Sequence, residues 1–252
     1  MKDEPTPSFL RLYKYMTFAT FYETLRLGGL RGTFARQSVN LMEFMPASGI
    51  NQESSIEKEL HSHALVSFCR NAESPALWGL YANRGRDICL VFSFPIEHRD
   101  TRNLVVPTPE ANQTEDVSIS AYTLTNGRIL REVMYDHNRF DKQITRFNLH
   151  ELLTHKSTSW KQEEEVRYIG HVDDFDEIAY FNDPIIPYID RYKPLCKWPM
   201  EYLRGALLGP ECELSADFVR RQIIQAFPTL SNLLKVESTT YDESEYKIVA
   251  FK

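Results

Sequence analysis

"KSTSWKQEEEVRYIG", residues 156–170, sets three consecutive glutamates between Trp160 and Arg167 and then turns apolar. Two local structures fit it. As a helix start, Ser157 or Ser159 caps the first turn, and Glu163 to Glu165 sit where the helix dipole favours negative charge. As a strand over 163–169, its side chains alternate between two faces. Val166 and Tyr168 then share a face with Glu164, while Glu163, Glu165, Arg167 and Ile169 share the other. Two carboxylates so placed repel each other, so one is expected to titrate high unless a cation or ligand neutralises the pair. A Glu-x-Glu strand suits acid–base work or the holding of a sugar hydroxyl. A helix start would leave the same charges in water.

Working outward, the apolar pattern gives an α+β chain. "FLRLYKYM" (9–16) alternates as a strand, Thr17 caps a helix over "FATFYETLRL", and Gly28-Gly29 ends it. "LRGTFA" reads as a second strand, 37–53 as a loop and 54–63 as a short helix before the strand "ALVSFC". Ser74-Pro75 starts the helix "ALWGLYAN", and "DICLVFSF" is the clearest buried strand. Strands are predicted at 103–107, 118–124 and 129–135, and a helix over 139–156 with Ile144, Phe147, Leu149, Leu152 and Leu153 on its apolar face. The strand "GALLG", a helix from Ser215 to about Phe227 and the strand "EYKIVAF" follow a proline-containing stretch at 184–199. Strands and helices do not alternate strictly. That favours a mixed or mostly antiparallel sheet with flanking helices over a doubly wound fold. No repeat or long linker divides the sequence, so 1–252 is expected to form one domain.

Composition narrows the function. The 252 residues are 42% hydrophobic and 12% aromatic, enough for a large core. A net charge of −6 argues against a chain that coats nucleic acid nonspecifically, which needs a basic footprint, and leaves room for a local basic site. Cys69, Cys89, Cys196 and Cys212 lie far apart in or beside apolar runs and read as buried free thiols. "MKDEPTPSF" has no signal-peptide character, and no apolar run reaches the roughly 20 residues of a membrane span. A cytoplasmic chain without a membrane partner is the expectation. His61 and His63 form an HxH without acidic or cysteine partners at ligand spacing, so no metal is expected. Trp78 and Tyr81 share a helix face as core or as the lining of a nucleotide pocket, and Lys14 is an exposed strand lysine or an anion ligand.

Several segments together resemble an uncharacterised bacterial family of unknown function. They are "LYKYM" (12–16), "VNLMEF" (39–44), "SFCRNAESPALWGLYANRGRDICLVF" (67–92), "KSTSWKQEEEVRYI" (156–169) and "ALLGPE" (206–211). The resemblance spans nearly the whole chain and places Lys156, Trp160, Glu163, Glu165 and Arg167 at motif positions. Met16 stands where that family has arginine, and "VNLMEF" keeps Asn40 but lacks the family's Asp-Pro. The family's layout in turn resembles ADP-ribosyltransferases. That resemblance implies NAD as substrate, a toxin or anti-phage effector role, and a protein or nucleic-acid acceptor. It makes Glu165 the carboxylate on the NAD ribose, Glu163 the acceptor-side residue and Arg167 their orienting group. Lys14 or Arg11 would meet a phosphate, and Tyr15 or Tyr81 would stack on a ring, with Asn40, Trp78 and Lys156 completing the nucleotide site. Two other expectations stand beside it. One is a non-enzymatic nucleotide-sensing or protein-interaction module; the other is a nuclease or phosphoesterase holding Mg²⁺ on the glutamates with Asp173 or Asp174.

Overall fold

The computed structural model describes residues 8–37, 60–107, 114–137, 149–182, 191–242, 244 and 247–250. Strand β1 (Ser8–Met16) forms as its alternation predicts. The Thr17 hydroxyl caps α1 (Phe18–Leu27), and Gly28 closes that helix at a φ of 70°, where glycine carries no steric penalty. The predicted second strand splits at Gly32 into β2 (Leu30–Arg31) and β3 (Thr33–Phe34), which join different sheets. Then come β4 (His63–Cys69), α2 (Pro75–Tyr81) with its Ser74 cap, and β5 (Ile88–Pro107), which fuses two predicted strands into one. The next strand is β6 (Thr114–Leu124). Val133 divides the predicted strand over 129–135 into β7 (Ile129–Glu132) and β8 (Met134–Asp136).

The helix expected over 139–156 lies partly outside the described residues, as do most of the 37–53 loop and the 54–63 helix. Its described part, α3 (Leu149–Leu152), ends earlier than the sequence pattern suggests. The Thr154 hydroxyl bonds back to the carbonyls of His150 and Glu151, and the chain then extends as β9 (His155–Ser157). Ser/Thr side chains that bond to backbone compete with helix continuation in this way. A 3₁₀ turn (Thr158–Glu163) leads into β10 (Glu165–His171). The chain finishes with β11 (Glu177–Tyr180), β12 (Tyr192–Cys196), β13 (Leu203–Leu208), α4 (Ala216–Ala226), β14 (Lys235–Asp242) and β15 (Lys247–Ala250).

The mixed α+β class with a mostly antiparallel sheet is as the sequence indicates. Closure of that sheet is not legible there. β1, β4, β10, β7, β6 and β5 pair in that order, and β5 returns to β1 along nine register pairs from Ser8↔Ile96 to Met16↔Ile88. A six-stranded barrel results. Phe68 of β4 meets Phe92 and Phe94 of β5 at 5.5 Å, across the intervening β1. Only the concave side allows that contact, so Leu10, Leu12, Val66, Leu90, Leu130, Val166 and Tyr168 line the interior. Trp198 fills one end, 5.6 Å from Phe94 and 5.3 Å from Tyr168. Burial of each such side chain stabilises the fold by about 1.5–3 kcal/mol.

Because side chains alternate, the residues between these point outward, and several of them are covered by other elements. α2 lies on Tyr15 and Cys89, and α3 lies on Leu65 and Ile169. β13 extends the sheet from the first half of β5 and runs parallel to β14, whose other edge takes β15. Gly205 has no substitute where β13 passes β14, because a Cβ there would strike the Lys235 carbonyl oxygen. Among the described residues no helix is long and apolar enough to cross a membrane.

Phe92→Ala should cost about 3–5 kcal/mol in a urea titration. Gly205→Ala should cost about 1–3 kcal/mol by overpacking. Gly79, on α2 with nothing within 4 Å of a would-be Cβ, should instead gain up to about 1 kcal/mol as Gly79→Ala.

Candidate functional site

The opening segment combines both local readings. Ser157 caps a turn, as a helix start would require, but the turn is 3₁₀ and Glu163 ends it. Glu164 then adopts a left-handed conformation (φ 43°, ψ 50°), and Glu165 begins the strand. Val166 and Tyr168 therefore enter the barrel, whereas Glu165 and Arg167 project from its outer wall. Glu163 is not on the strand. It reaches the same place because the reversal at Glu164 folds the turn back over the wall.

Four segments converge there. Lys156 comes from β9, Glu163 from the turn, Glu165 and Arg167 from β10, and the end of α3 supplies a carbonyl. The Lys156 Nζ donates to Glu163 at 2.6 Å and to Glu165 at 3.0 Å. The Arg167 Nε and a terminal nitrogen donate to the two oxygens of Glu165 at 2.7 and 2.8 Å, and its other terminal nitrogen donates to the Leu153 carbonyl at 2.6 Å. The Tyr81 hydroxyl donates to Glu163 at 2.5 Å, and the Glu165 amide donates to the Tyr135 hydroxyl at 2.8 Å. The Ser67 side chain adds a bond to Glu165. Two negative and two positive charges make the cluster neutral, and its residues are only 2–9% exposed. Buried charges persist when paired and hydrogen-bonded in this manner.

The neutralising cations that the sequence reading named as the exception are present. Burial alone would raise the Glu165 carboxyl, but Arg167, Lys156 and Ser67 together hold it well below the usual carboxylate range. The two cations reverse the effect that paired carboxylates would have alone. Burial, reinforced by the bond to Glu163, pushes the Tyr81 phenol up. Burial also raises Tyr135. Glu165 is thus a fixed anion and Tyr81 a fixed donor.

The other predicted site residues divide. Tyr81 joins the cluster, although as a residue it stays 41% exposed. Half-buried Trp160 lies 5.4 Å from the Lys156 ammonium, measured to its ring centroid. Tyr15 and Trp78 instead form a buried edge-to-face pair at 5.1 Å. Their polar atoms donate to the Asn71 and Ala72 carbonyls at 2.8 Å. Both rings pin α2 to β1, and neither has a face left for stacking. The Lys14 ammonium donates to the Ser67 carbonyl at 2.7 Å, and burial lowers its pKa to about 8. Asn40 lies outside the described residues. All four cysteines are free; Cys89 and Cys196 are fully buried, and burial raises Cys69 to about 12.

Ser67, Tyr135 and the Leu153 carbonyl are contributors that the sequence reading did not single out. Ser67 had a signal, since alternation in "ALVSFC" places it opposite Val66 and Phe68. Tyr135 and Leu153 had none, because a parallel β8–β9 pair brings them in. A second, part-buried polar cluster joins Arg70, Tyr122 and Glu132, with Arg70 2.5 Å from Glu132. Among the described residues no group of three or more His, Cys, Asp or Glu side chains is placed to hold a metal ion. Asp173 and Asp174 follow the far end of β10, where they bond His171. Comparisons of the chain with protein-family models, curated proteins and solved structures return no match.

Removing one member of the buried pair strands the others, so Glu165→Gln or Arg167→Met should each cost about 3–5 kcal/mol. Exchanging both for apolar residues should recover much of that loss in the same denaturant titration. Glu165 titrates lower in the folded chain than in the unfolded one. Its contribution is therefore complete above the ordinary carboxylate range and is lost as pH falls below it, where the unfolded chain takes up a proton first. Unfolding free energy followed from pH 7 to pH 3 should fall less steeply in Glu165→Gln than in the parent chain.

Proposed function

We propose that this chain is an NAD-using protein of the ADP-ribosyltransferase type, transferring or hydrolysing ADP-ribose at the Lys156–Glu163–Glu165–Arg167 cluster. The supporting observation is that four side chains from three segments meet in one neutral cluster beside two aromatic residues, Tyr81 and Trp160. Loss of nicotinamide leaves positive charge on the ribose, and a carboxylate that never protonates stabilises it best. Glu165 has that ionisation. Its acceptor positions are nevertheless filled by two guanidinium nitrogens, one ammonium and one hydroxyl.

Glu163 accepts from Tyr81 and Lys156 and retains acceptor capacity, because an ionised carboxylate offers about four sites. In this reading Glu163, at the end of the 158–163 turn, meets the sugar hydroxyl once a bound nucleotide displaces Lys156, which leaves the cluster with a net negative charge. Arg167 keeps Glu165 in place through the bond to Leu153. Lys156, between both carboxylates, is the group that a bound nucleotide would displace. An ADP-ribosyltransferase-like arrangement of the sheet belongs to the same proposal.

The saturation of Glu165 favours one second reading, a non-enzymatic nucleotide sensor that keeps the cluster as a brace. Nicotinamide release from NAD separates the two. An enzyme releases it, and Glu163→Gln should lower the rate by at least about a hundredfold, the scale on which a transition-state hydrogen bond acts. A sensor gives a higher thermal midpoint with NAD or ADP-ribose and no release. Neither release nor a shift would remove both readings.

A further inference from the structure

Away from the cluster, a cleft of about 230 Å³ opens on the outer face of β1, β5 and β13, beneath the β14–β15 pair. Its lining divides into an apolar floor, including Tyr13, Val91 and Leu207, and a charged rim. Glu237 on the rim is held by Lys235 at 2.6 Å, and Glu73 faces Lys247 at 3.9 Å. Arg11 and Arg204 remain. Among the described residues neither guanidinium is ion-paired to a carboxylate.

Arg204 owes its place to an irregularity. The register of β13 against β5 shifts between Leu203 and Gly205, and a bulge re-aims the side chain it carries. One terminal nitrogen of Arg204 donates to the carbonyls of Glu201 and Leu203, each at 2.9 Å. Those bonds fix the guanidinium, and most of its five N–H donors remain for a ligand. Arg11 stands on β1 opposite Ser93, at the other side of the cleft. The lining holds three cations, Arg11, Arg204 and Lys235, against two carboxylates, Glu73 and Glu237, so the cleft is net positive over an apolar floor, with Lys247 facing Glu73 from outside it. The Glu163–Glu165 cluster, by contrast, is neutral and closed.

We propose that this cleft binds a small phosphate monoester. Arg11 and Arg204 hold its phosphate, and Tyr13 and Leu207 carry its organic part. Guanidinium groups match phosphate oxygens in charge and in planar donor geometry. The volume sits just below the roughly 300–1,000 Å³ of pockets for drug-sized ligands, which limits the organic part to about a sugar or a single nucleoside. The proposal stands apart from NAD chemistry at Glu163, since the cleft shares no residue with that cluster.

Calorimetric titration of the full chain at low salt with inorganic phosphate, ribose 5-phosphate and AMP tests it. The esters should bind more tightly than inorganic phosphate, and added salt should weaken all three. Arg11→Ala and Arg204→Ala should each weaken ester binding by about tenfold or more, the scale of a lost charge-assisted hydrogen bond. Arg11 is exposed and Arg204 is partly exposed, so both variants should keep the parent's thermal midpoint. Glu163→Gln should leave ester binding unchanged whether or not it abolishes NAD turnover. No saturable binding of any probe at millimolar concentration overturns the proposal. So does unaltered affinity in both arginine variants, and equal affinity for inorganic phosphate and the esters removes the role of the floor.

Discussion

The bidentate contact of Arg167 on Glu165 is the constraint around which the outer wall of the barrel is arranged. β10 is buried on both faces, with one apolar and the other ionic. An apolar inner face needs only neighbours of suitable volume, which Phe68, Leu130 and Trp198 supply. The ionic face needs every charge matched and every donor satisfied, because a stranded buried charge costs several kcal/mol. Lys156 supplies the second cation, the Leu153 carbonyl takes the guanidinium's remaining arm, and Ser67 and Tyr135 bond Glu165 through side chain and amide. Each of these fixes a segment. β9, the end of α3, the 158–163 turn and β8 are all tied to two adjacent outward positions of one strand.

This explains why so short a strand persists where it does. β9 has three residues, too few to be stable alone. Its order, like that of the described end of α3, comes from the ion cluster on one side and from Leu65 and Ile169 on the other. The positive φ of Glu164 belongs to the same arrangement. A non-glycine residue in that region carries a local cost. Here the chain reversal it makes is what allows Glu163 and Glu165 to grip one ammonium.

Much of the fold was legible because local signals were strong. Thr17, Ser74 and Ser215 cap the helices that their positions announce, and alternation places Val166 and Tyr168 inside and Glu165 and Arg167 outside. Barrel closure was not legible, since β1 pairs with β5 across more than 70 residues and no local pattern encodes that partner. β11, β12 and β14 escaped notice for separate reasons. β11 has four residues, β12 contains Pro194, which has no amide to donate, and β14 is polar on both faces. In the candidate site, residue types and spacing singled out Glu163, Glu165, Arg167 and Tyr81, the family resemblance added Lys156, and the structure brings these five together. Trp78 takes the core alternative that its helical spacing left open, and Tyr15, which the resemblance had offered for ring stacking, is buried against it.

The charges of the molecule fall into two physical regimes. In the cluster, four ionised groups cancel within hydrogen-bond distance and little field escapes. At the cleft, two guanidiniums stand over apolar ground in a chain whose net charge is −6. An anion approaching that chain meets repulsion at long range and attraction only near the arginines. At physiological salt the Debye length is about 8 Å, so the distant acidic residues are screened and the local pair governs capture. At low salt the two contributions overlap and oppose each other. Anion affinity at the cleft therefore reports local geometry, and the net charge of the chain is a poor guide to what it binds.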